Sequence, residues 1–486
     1  MTPVTVVTIC VPLSDWHANV KTWDRTSGTG FVGTSPRRCS PVSLVSDAAA
    51  AAPGADRLWS VDEHLADILR TVRPLEPIEL QLLDAQGCVL VEDVTVPAAL
   101  PPFDNSSMDG YAVRAADVRD ASEKFPTVLT VVGDVAAGGD GALVAVGPGQ
   151  AARIMTGAPL PPGAEAVVPV EWTDGGLGGG PATTMSAGGI AGGASGEGAG
   201  LGAVRVHRPV TAGAHVRARG SDVAAGDLAL AAGTVLGPAQ LGLLAAIGRA
   251  TVTVRPRPRV VVLSTGSELV PPGGELAPGR IHDSNSYLLA ACARDAGALA
   301  YRVGAVEDDA ATLRATLEDQ IVRADAIVTS GGVSVGAYDV VKAALTGLSG
   351  DEGRVEFRRL AMQPGKPQGF GRLGPGRTPL FALPGNPVSA YVSFELFVRP
   401  AVRAMMGLEP PERPVVRAEC AEPVGPSPRG RRQYLRGRYA DGRVTPVGGA
   451  GSHLVGALAR ADALIVVPED VTSVPAGAEV DVILLD

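Results

Sequence analysis

The alternation of apolar and polar positions changes character at residue 259. From there, short apolar runs alternate with stretches of helical periodicity: "RVVVLS", "ALAYRVGAV" and "DAIVTS" predict strands, and "SYLLAACARDAG" and "DDAATLRATLEDQIVR" predict helices. Such an alternation makes right-handed βαβ crossovers and a parallel sheet covered by helices on both faces. The sequence therefore predicts a doubly wound α/β domain over residues 257–408.

The flanking regions carry different patterns. A capping box at Ser60 and Glu63 opens an apolar helical stripe, and the strand-like "IELQLLDA" follows it. Val, Thr, Gly and Pro dominate the stretch after residue 126 and the chain after 409, which is typical of small β domains. The predicted domains are a linker domain in two pieces (57–102 and 221–256), a small β domain (103–220), the α/β domain (257–408) and a C-terminal β domain (409–486).

Two stretches lack the pattern of a packed core. Residues 1–56 show no clear periodicity and are predicted to be a disordered extension. Residues 174–203 are so rich in glycine that we interpret them as a disordered surface insertion within the small β domain.

Composition and charge narrow the class of protein. The 486 residues are 45% apolar, as in a globular multidomain protein, and the net charge of -9 argues against broad nucleic-acid binding. No apolar run approaches the roughly 18 residues of a membrane span, and no signal peptide is recognisable. The five cysteines lie far apart, which fits neither a zinc site nor a disulfide framework. We expect a cytoplasmic protein without membrane or nucleic-acid partners.

Three loops leave the predicted strands of the α/β domain at their carboxyl ends, where open α/β sheets bind ligands. They are "STGSELV" (264–270), "SGGVSVGAYD" (330–339) and "LPGNPVSA" (383–390). The second loop bares its backbone through glycines and ends at Asp339, which fits a chain lying against a phosphate or flat ring with a carboxylate placed for a metal. The predicted substrate-binding residues are Ser264, Thr265, Gly266, Ser330, Gly331, Gly332, Ser334, Gly336, Lys366, Pro384, Gly385, Asn386 and Pro387.

A lysine and a helix start indicate an oxyanion pocket at the same edge. In "QPGKPQG" (363–369), Lys366 lies between glycine and proline, which restrict its backbone. Asn386 and Pro387 fit the N-cap and first turn of a helix, whose free N–H groups attract anions, and Ser389 adds a hydroxyl.

Each feature also has a purely structural interpretation. A glycine-rich loop between strand and helix is often only a turn, and Asp308 before a helix is often only its N-cap. In "LPPFDNSSMDGYAVRAADV" (100–118), the polar series forms either a rigid loop presenting carboxylates or an Asx-turn network. Convergence of three glycine-bearing loops favours a site. No Walker A, G-x-G-x-x-G or G-x-S-x-G motif is present, which disfavours a common ATPase, dehydrogenase or hydrolase.

Six motifs in order carry a family resemblance: "FDNSSMDGYAVR", "RIMTGAPLPPGAEAVV", "STGSELV", "TSGGVSVGAYD", "PGKP" and "LPGNPVSA". Over residues 57–486 the sequence resembles the molybdopterin molybdenumtransferases, the MoeA proteins and the gephyrin E domain. The resemblance implies insertion of molybdate into adenylylated molybdopterin with Mg²⁺-dependent release of AMP. It also implies an elongated homodimer with a MogA-like α/β domain, and contacts with molybdopterin adenylyltransferase and molybdoenzymes.

The resemblance also assigns roles to individual residues. Those matching catalytic positions of the family are Asp109, Thr156, Asp222, Glu268, Asp308 and Asp339. Those matching molybdate-binding positions are Lys366, Ser389, Arg436 and Ser452. Glu268 and Asp339 are the implied Mg²⁺ ligands, since Mg²⁺ takes oxygen ligands. In the family, acids near Asp109 serve the cleft of the partner subunit.

The sequence departs from the family pattern at two informative positions. Gln363 stands where the family usually has lysine, so one positive charge is missing from the implied oxyanion pocket. Ser267 stands where aspartate is common, so one potential metal ligand is missing. These departures keep open a catalytically weak cofactor-binding or scaffold protein. A molybdopterin adenylyltransferase fits less well, because that family is a lone compact domain without the flanking motifs.

Overall fold

The first helix of the described residues begins where the sequence predicts. The structure, a computed structural model, describes residues 57–185, 202–332, 340–345 and 353–485, so the predicted extension 1–56 lies outside the described residues. The helix spans Val61–Thr71. The Ser60 hydroxyl accepts from the Glu63 N–H at 3.0 Å, and the Glu63 carboxylate accepts from the Ser60 N–H at 2.9 Å. This reciprocal pair confirms the predicted capping box.

Two distant chain segments pair to form the sheets that follow this helix. Thr251–Arg255 is the central strand of a three-stranded sheet with Ile78–Gln81 and Val89–Leu90, and Val94–Thr95 pairs with Leu228–Leu230. The helix Pro238–Ala246 packs on them through buried Leu241 and Leu244.

A five-stranded sheet occupies the region between these segments. Its order is Ala203–Val206, Thr127–Val135, Gln150–Ile154, Gly110–Val113 and Ala166–Pro169, and Asn105–Ser106 pairs separately with Val216–Arg217. The ends of the predicted insertion 174–203 belong to this packed region, because Asp174 is buried and accepts from the Arg205 N–H at 3.0 Å, and Ala203 pairs with Thr130. The prediction that residues 174–203 are disordered was therefore wrong at both ends of that segment. Residues 186–201 lie outside the described residues.

A seven-stranded mixed sheet forms the centre of the chain. Its order is Leu58–Trp59, Gly353–Leu360, Pro367–Leu373, Thr378–Leu383, Ala326–Ser330, Arg259–Thr265 and Leu299–Val306. The last four strands are parallel, as predicted. Gly353–Leu360 and Pro367–Leu373 form an antiparallel hairpin on the same sheet. The sequence prediction missed this hairpin and treated the residues around Lys366 as a loop only.

Helices cover both faces of this sheet. Along the strand Arg259–Thr265, Val260 and Val262 face one core and Val261 and Leu263 face the other. The first core holds Asn285–Asp295 and the continuous helical segment Pro387–Ser393, Phe394–Val398 and Arg399–Met405; the second holds Ala310–Ile321 and Val340–Leu345. Burial on both faces explains why the three inner parallel strands are mostly apolar, whereas the edge strand Leu299–Val306 is largely exposed.

The C-terminal region forms a six-stranded sheet, and one of its strands, Met362–Gln363, comes from the α/β region. Its six strands, in order, are Met362–Gln363, Arg432–Ala440, Arg443–Pro446, Val415–Cys420, Glu479–Leu484 and Ala463–Val467, with a short helix at Val455–Leu458. Met362 and Gln363 pair in parallel with Arg432 and Gln433. This pairing brings the residues next to Lys366 against the C-terminal sheet.

None of the helices in the described part of the chain has the length and apolar character that crossing a bilayer requires. Cys88, Cys292 and Cys420 are buried free thiols.

Candidate functional site

A cavity of about 760 Å³ opens at the carboxyl ends of the parallel strands. Thirteen of the predicted site residues line it: Ser264, Thr265, Gly266, Glu268, Asp308, Ser330, Gly331, Gly332, Pro384, Gly385, Asn386, Pro387 and Ser389. The sequence analysis missed a further group: Leu269, Ile281, His282, Asp283, Ser284, Asn285, Gly365, Pro367 and His453. The three predicted loops do meet at one edge of the sheet.

The loop after the first strand presents a carboxylate to the cavity. Gly266 has φ +151°, and a Cβ there would lie 2.7 Å from Glu268 Oε2, so the Glu268 side chain folds back over bare backbone. Asp308 Oδ2 accepts from the Ser267 N–H at 2.9 Å. The helix Ala310–Ile321 is capped by Asp309, whose carboxylate accepts from the Thr312 N–H at 2.7 Å. The interpretation of Asp308 as an N-cap is therefore wrong, and Asp308 lines the cavity instead.

A buried carboxylate anchors the floor of the cavity. Asp283 is 2% exposed and follows a short parallel pair formed by Leu269–Val270 and Ile281–His282. Its Oδ1 accepts from the Ser264 hydroxyl at 2.9 Å and from the Ser286 N–H at 3.1 Å, and its Oδ2 accepts from the Ser286 hydroxyl. Three donors offset the cost of burying the charge. In "HDSNS" (282–286), Asp283 precedes a helix. Because this pattern also fits an ordinary helix start, the sequence alone does not single out Asp283 as a site residue.

Asn285 ties the other two loops together. Its Nδ2 donates to the Gly385 carbonyl at 2.6 Å and to the Ser330 hydroxyl at 2.8 Å. The carbonyl can only accept, so the orientation of the amide is determined. Its buried Oδ1 has no hydrogen-bond partner among the described residues. Asn285 therefore fixes the distance between the glycine loop and the proline-containing loop.

The glycines after the third strand are required by packing. Gly331 has φ +99°, and a Cβ there would lie 2.6 Å from the Thr265 carbonyl oxygen. Gly332 has φ +64°, and its Cβ would lie 2.8 Å from the Val341 side chain. Both residues also line the cavity. The absence of side chains at Gly331 and Gly332 thus allows the loops to pack closely and leaves the main chain accessible to a ligand. The other predicted residues of this loop, Ser334, Gly336 and Asp339, lie outside the described residues.

The loop at 383–390 differs in detail from its prediction. Asn386 has the extended backbone of an N-cap and Pro387 is in the first turn, but the Asn386 side chain makes no capping hydrogen bond. Asn386 therefore lines the cavity without being held by the helix. Ser389 is buried, and the Val388 N–H donates to the Ser452 carbonyl at 3.0 Å. This bond joins the loop to the C-terminal region.

Lys366 lies at the edge of the cavity, since its neighbours Gly365 and Pro367 both line it. Its backbone carbonyl accepts from the Leu360 N–H at 2.8 Å, which fixes the chain there. The positive charges of Arg431 and then Arg359 lower the pKa of the Lys366 ammonium below its usual value. The surroundings of Lys366 are therefore cationic, as an oxyanion pocket requires.

Arg436 holds the loop that carries Ser452. It is 2% exposed, and its guanidinium donates to the Gly451 carbonyl at 3.2 Å, to that of Val447 at 3.4 Å and to that of Gly449. Burial lowers its pKa. Because its donors face main-chain carbonyls, the structure places Arg436 as a support for the Ser452 loop, and His453 is the residue of that loop that lines the cavity.

Asp109, Thr156 and Asp222 do not line this cavity. Asp109 Oδ1 accepts from both the N–H and the hydroxyl of Thr156, at 2.7 and 2.9 Å. The Asp222 N–H donates to the Leu100 carbonyl at 3.0 Å. Two predicted catalytic residues from distant motifs are thus in direct contact outside this cavity.

The Mg²⁺ implied by the family resemblance would fit here only if a ligand supplied further oxygens. The described residues contain no cluster of three or more His, Cys, Asp or Glu side chains that would hold a metal by themselves. Glu268 and Asp308 both present carboxylates to the cavity. Mg²⁺ is usually held by one or two carboxylates together with phosphate oxygens and water. Such a site needs the phosphorylated ligand to be complete.

The fold and this cavity define a class, that of multidomain proteins with a doubly wound α/β domain and additional β domains. Three family models match in order along the chain: "MoeA N-terminal region (domain I and II)" over residues 59–248, "Probable molybdopterin binding domain" over 261–404 and "MoeA C-terminal region (domain IV)" over 417–485. The chain belongs to the molybdopterin molybdenumtransferase (MoeA) family.

Individual relatives agree with this assignment. Molybdopterin molybdenumtransferase 2 of Mycobacterium tuberculosis is 46% identical over 428 residues, covering 87% of this chain and 98% of that protein. Molybdopterin molybdenumtransferase of Bacillus subtilis is 33% identical over 433 residues, covering 87% and 94%. A crystal structure of the molybdopterin biosynthesis MoeA protein from Pyrococcus horikoshii matches with a TM-score of 0.62 and 28% identity, covering 88% of this chain and all of that one. The predicted family and multidomain fold class are confirmed.

Proposed function

We infer that this protein is an enzyme of molybdenum cofactor biosynthesis, a molybdopterin molybdenumtransferase. Its reaction inserts molybdate into adenylylated molybdopterin and releases AMP. The observation that carries this conclusion is the convergence of hydroxyls, bare backbone and the carboxylates of Glu268 and Asp308 in one cavity, with Lys366 at its edge. Family membership supplies the identity of the ligands that such a cavity takes.

The two substrates would bind in different parts of the cavity. The main chain at Gly331, Gly332 and Gly385 lies open for a phosphate or a flat ring. Lys366 and Ser389 offer an ammonium and a hydroxyl to a doubly negative tetrahedral oxyanion. Arg436 and Ser452, the other two predicted molybdate ligands, act in our proposal by shaping the loop beside them.

The chemistry needs positioning more than a protein nucleophile. Two Mo–S bonds form to the pterin sulfurs as one oxide leaves as water, and cleavage of the phosphoanhydride consumes one water and frees AMP. Molybdenum stays hexavalent, so no oxidant or reductant is required. Holding both substrates in one orientation and offsetting their charges accounts for the catalytic contribution of the side chains.

Mg²⁺ is proposed as the cofactor. Glu268 and Asp308 would hold it, and the family resemblance implies Asp339 as a further ligand. The ion would offset the charge of the phosphates.

A homodimer is proposed as the active form. Asp109 and Thr156 contact each other and not the cavity, which is consistent with a role in the cavity of a second subunit. Asp222 would also contribute to the cavity of the second subunit.

We propose a cytoplasmic location. The buried free thiols Cys88, Cys292 and Cys420 are compatible with a reducing cytoplasm.

The test is a turnover assay with purified protein and adenylylated molybdopterin. We expect AMP release and molybdenum cofactor formation that depend on both molybdate and Mg²⁺. Binding of the nucleotide-bearing pterin without release of AMP would instead indicate a cofactor-binding or scaffold protein.

A further inference from the structure

Gln363, the position at which the family usually carries lysine, contacts Arg431 and lies three residues before Lys366. The Arg431 guanidinium donates to Gln363 Oε1 at 3.4 Å. The positive charges of Arg431 and Arg359 both reach the Lys366 ammonium, and they lower its pKa. Arg359, Lys366 and Arg431 are therefore close enough to interact through their charges, and we call them the cation cluster.

The cation cluster is built by strand pairing and not by flexible side chains alone. Gln363 pairs with Gln433 in parallel register, which places Arg431 two residues before the paired position. On the other side, Arg359 pairs with Pro367, next to Lys366. The hairpin of the α/β region and the first strand of the C-terminal sheet therefore bring the three cations together.

Convergence of like charges is unfavourable unless an anion accompanies them. Among the described residues, neither Lys366 nor Arg431 forms an ion pair with a carboxylate. The cluster adjoins the cavity, because Gly365 and Pro367 line it on either side of Lys366. The charges of Lys366 and Arg431 are therefore available to an anionic ligand at this edge.

We propose that Arg431, oriented by Gln363, binds the oxyanion together with Lys366 and supplies the positive charge that the residue at position 363 does not carry. A guanidinium suits this role because its planar donors match a tetrahedral oxyanion. A lysine at position 363 would remove the acceptor that orients Arg431 and would repel it. Gln363 and Arg431 are on this view a matched pair.

The identity of the oxyanion as molybdate rests on the proposed function. The first experiment is titration calorimetry of the full-length protein with sodium molybdate alone. We expect Arg431→Gln to weaken binding by about tenfold, the usual effect of losing one charge-assisted hydrogen bond. The control Arg438→Gln removes the same charge from an exposed position of the neighbouring strand and should change affinity less than about twofold. Equal affinity of wild type and Arg431→Gln, or no molybdate binding by the wild type, overturns the proposal.

A charge exchange gives the second test. Gln363→Lys alone should bind molybdate no more tightly than the wild type, because the new ammonium displaces Arg431. The double variant Gln363→Lys, Arg431→Gln should regain most of the affinity lost in Arg431→Gln. Tighter binding by the single Gln363→Lys variant, or no recovery in the double variant, would contradict the pairing.

Turnover measurements separate this inference from the proposed function. If the wild type binds molybdate and Arg431→Gln weakens that binding, the inference stands even where no AMP is released, and only the proposed reaction fails. If AMP is released but the molybdate concentration at half-maximal rate is the same for Arg431→Gln, the reaction stands and the inference fails. Circular dichroism of each variant verifies that its fold is intact.

Discussion

Ser267 and Asp308 bind each other reciprocally: the Ser267 N–H donates to Asp308 Oδ2 at 2.9 Å, and the Asp308 N–H donates to the Ser267 hydroxyl oxygen at 3.2 Å. The two residues belong to loops that follow neighbouring parallel strands. Ser267, which stands where the family commonly has aspartate, therefore has a structural role of its own. It joins these two loops through two hydrogen bonds, and Asp308 lines the cavity.

This relationship predicts a specific effect of Asp308→Asn. The amide retains an oxygen that accepts from Ser267, so the loops should stay joined, while one of the two carboxylates proposed to hold Mg²⁺ loses its charge. We expect the Mg²⁺ concentration at half-maximal AMP release to rise about tenfold, since removal of one charged partner typically costs that much. Asp309→Asn is the matched control, because Asp309 only caps the helix and asparagine caps equally well. Equal Mg²⁺ dependence of the two variants would rule out Asp308 as a ligand.

Lys366→Ala should act on molybdate far more than on the pterin. Loss of the ammonium at the cavity edge should raise the molybdate concentration at half-maximal rate by about tenfold or more. Binding of the adenylylated pterin, measured by calorimetry, should change less than about threefold, because its contacts are predicted at the glycine loops. Lys124→Ala, at an exposed position of the small β domain, controls for loss of a positive charge. Equal effects on both substrates would place Lys366 elsewhere in the reaction.

Asp283→Asn should destabilise the α/β region. Asparagine keeps one acceptor but brings an amide donor toward Ser286, whose hydroxyl already donates to Asp283. We expect a loss of about 1–3 kcal/mol in the free energy of unfolding, the range for a buried polar group left unsatisfied. Urea unfolding measures it. Asp325→Asn, at a more exposed partner of Arg259, should cost less. An unchanged urea midpoint for Asp283→Asn would show that the network is not structurally important.

His64 should make stability depend on pH. Burial, and then the charge of Arg358, lower its pKa to about 3, whereas the ordinary value in an unfolded chain is near 6.5. The unfolded state therefore takes up a proton between these values while the folded state stays neutral. Stability is complete above pH 6.5 and should fall as the pH is lowered toward 3, by up to about 1.4 kcal/mol per pH unit.

His64→Gln isolates this effect, because glutamine can still accept from Arg358 but does not titrate. Urea unfolding of wild type and variant at pH 8, 6 and 5 should give curves that converge toward low pH. Parallel pH dependences would exclude His64 as the titrating group.

Mixed dimers test the proposal that each site uses two subunits. At a molybdate concentration well below the half-maximal value of the Lys366→Ala enzyme, Asp109→Ala and Lys366→Ala homodimers should each have about a tenth of wild-type activity or less. Co-expressed in equal amounts with different affinity tags, they should regain about a quarter of wild-type activity, since half of the dimers contain one intact site of two. No recovery in tandem-purified heterodimers would place Asp109 and Lys366 in the same subunit's site.

Much of the candidate site could be recognised before the structure was known. The loops at 264–270 and 383–390 follow apolar strands whose carboxyl ends must meet at one edge of a parallel sheet, so Glu268 and Ser389 were predictable from order alone. Asp283 and Asn285 were not, because their motif also fits a helix start. Only the three-dimensional arrangement shows that Asn285 spans two loops a hundred residues apart in sequence.

The sequence by itself determined the parallel strands of the α/β domain, the helices between them and the edge at which their loops converge, because these depend on local periodicity and on chain connectivity. The hairpin Gly353–Leu360 and Pro367–Leu373 was not among them. The tertiary structure decided which polar groups are consumed by the fold and which face the cavity. Arg436 and Asp308 are one example of each. The Arg436 guanidinium donates to main-chain carbonyls, whereas Asp309 caps the helix Ala310–Ile321 and Asp308 lines the cavity. The same holds for the pairing of Gln363 with Arg431, since a hydrogen bond between residues so far apart in sequence depends on how two sheets share an edge.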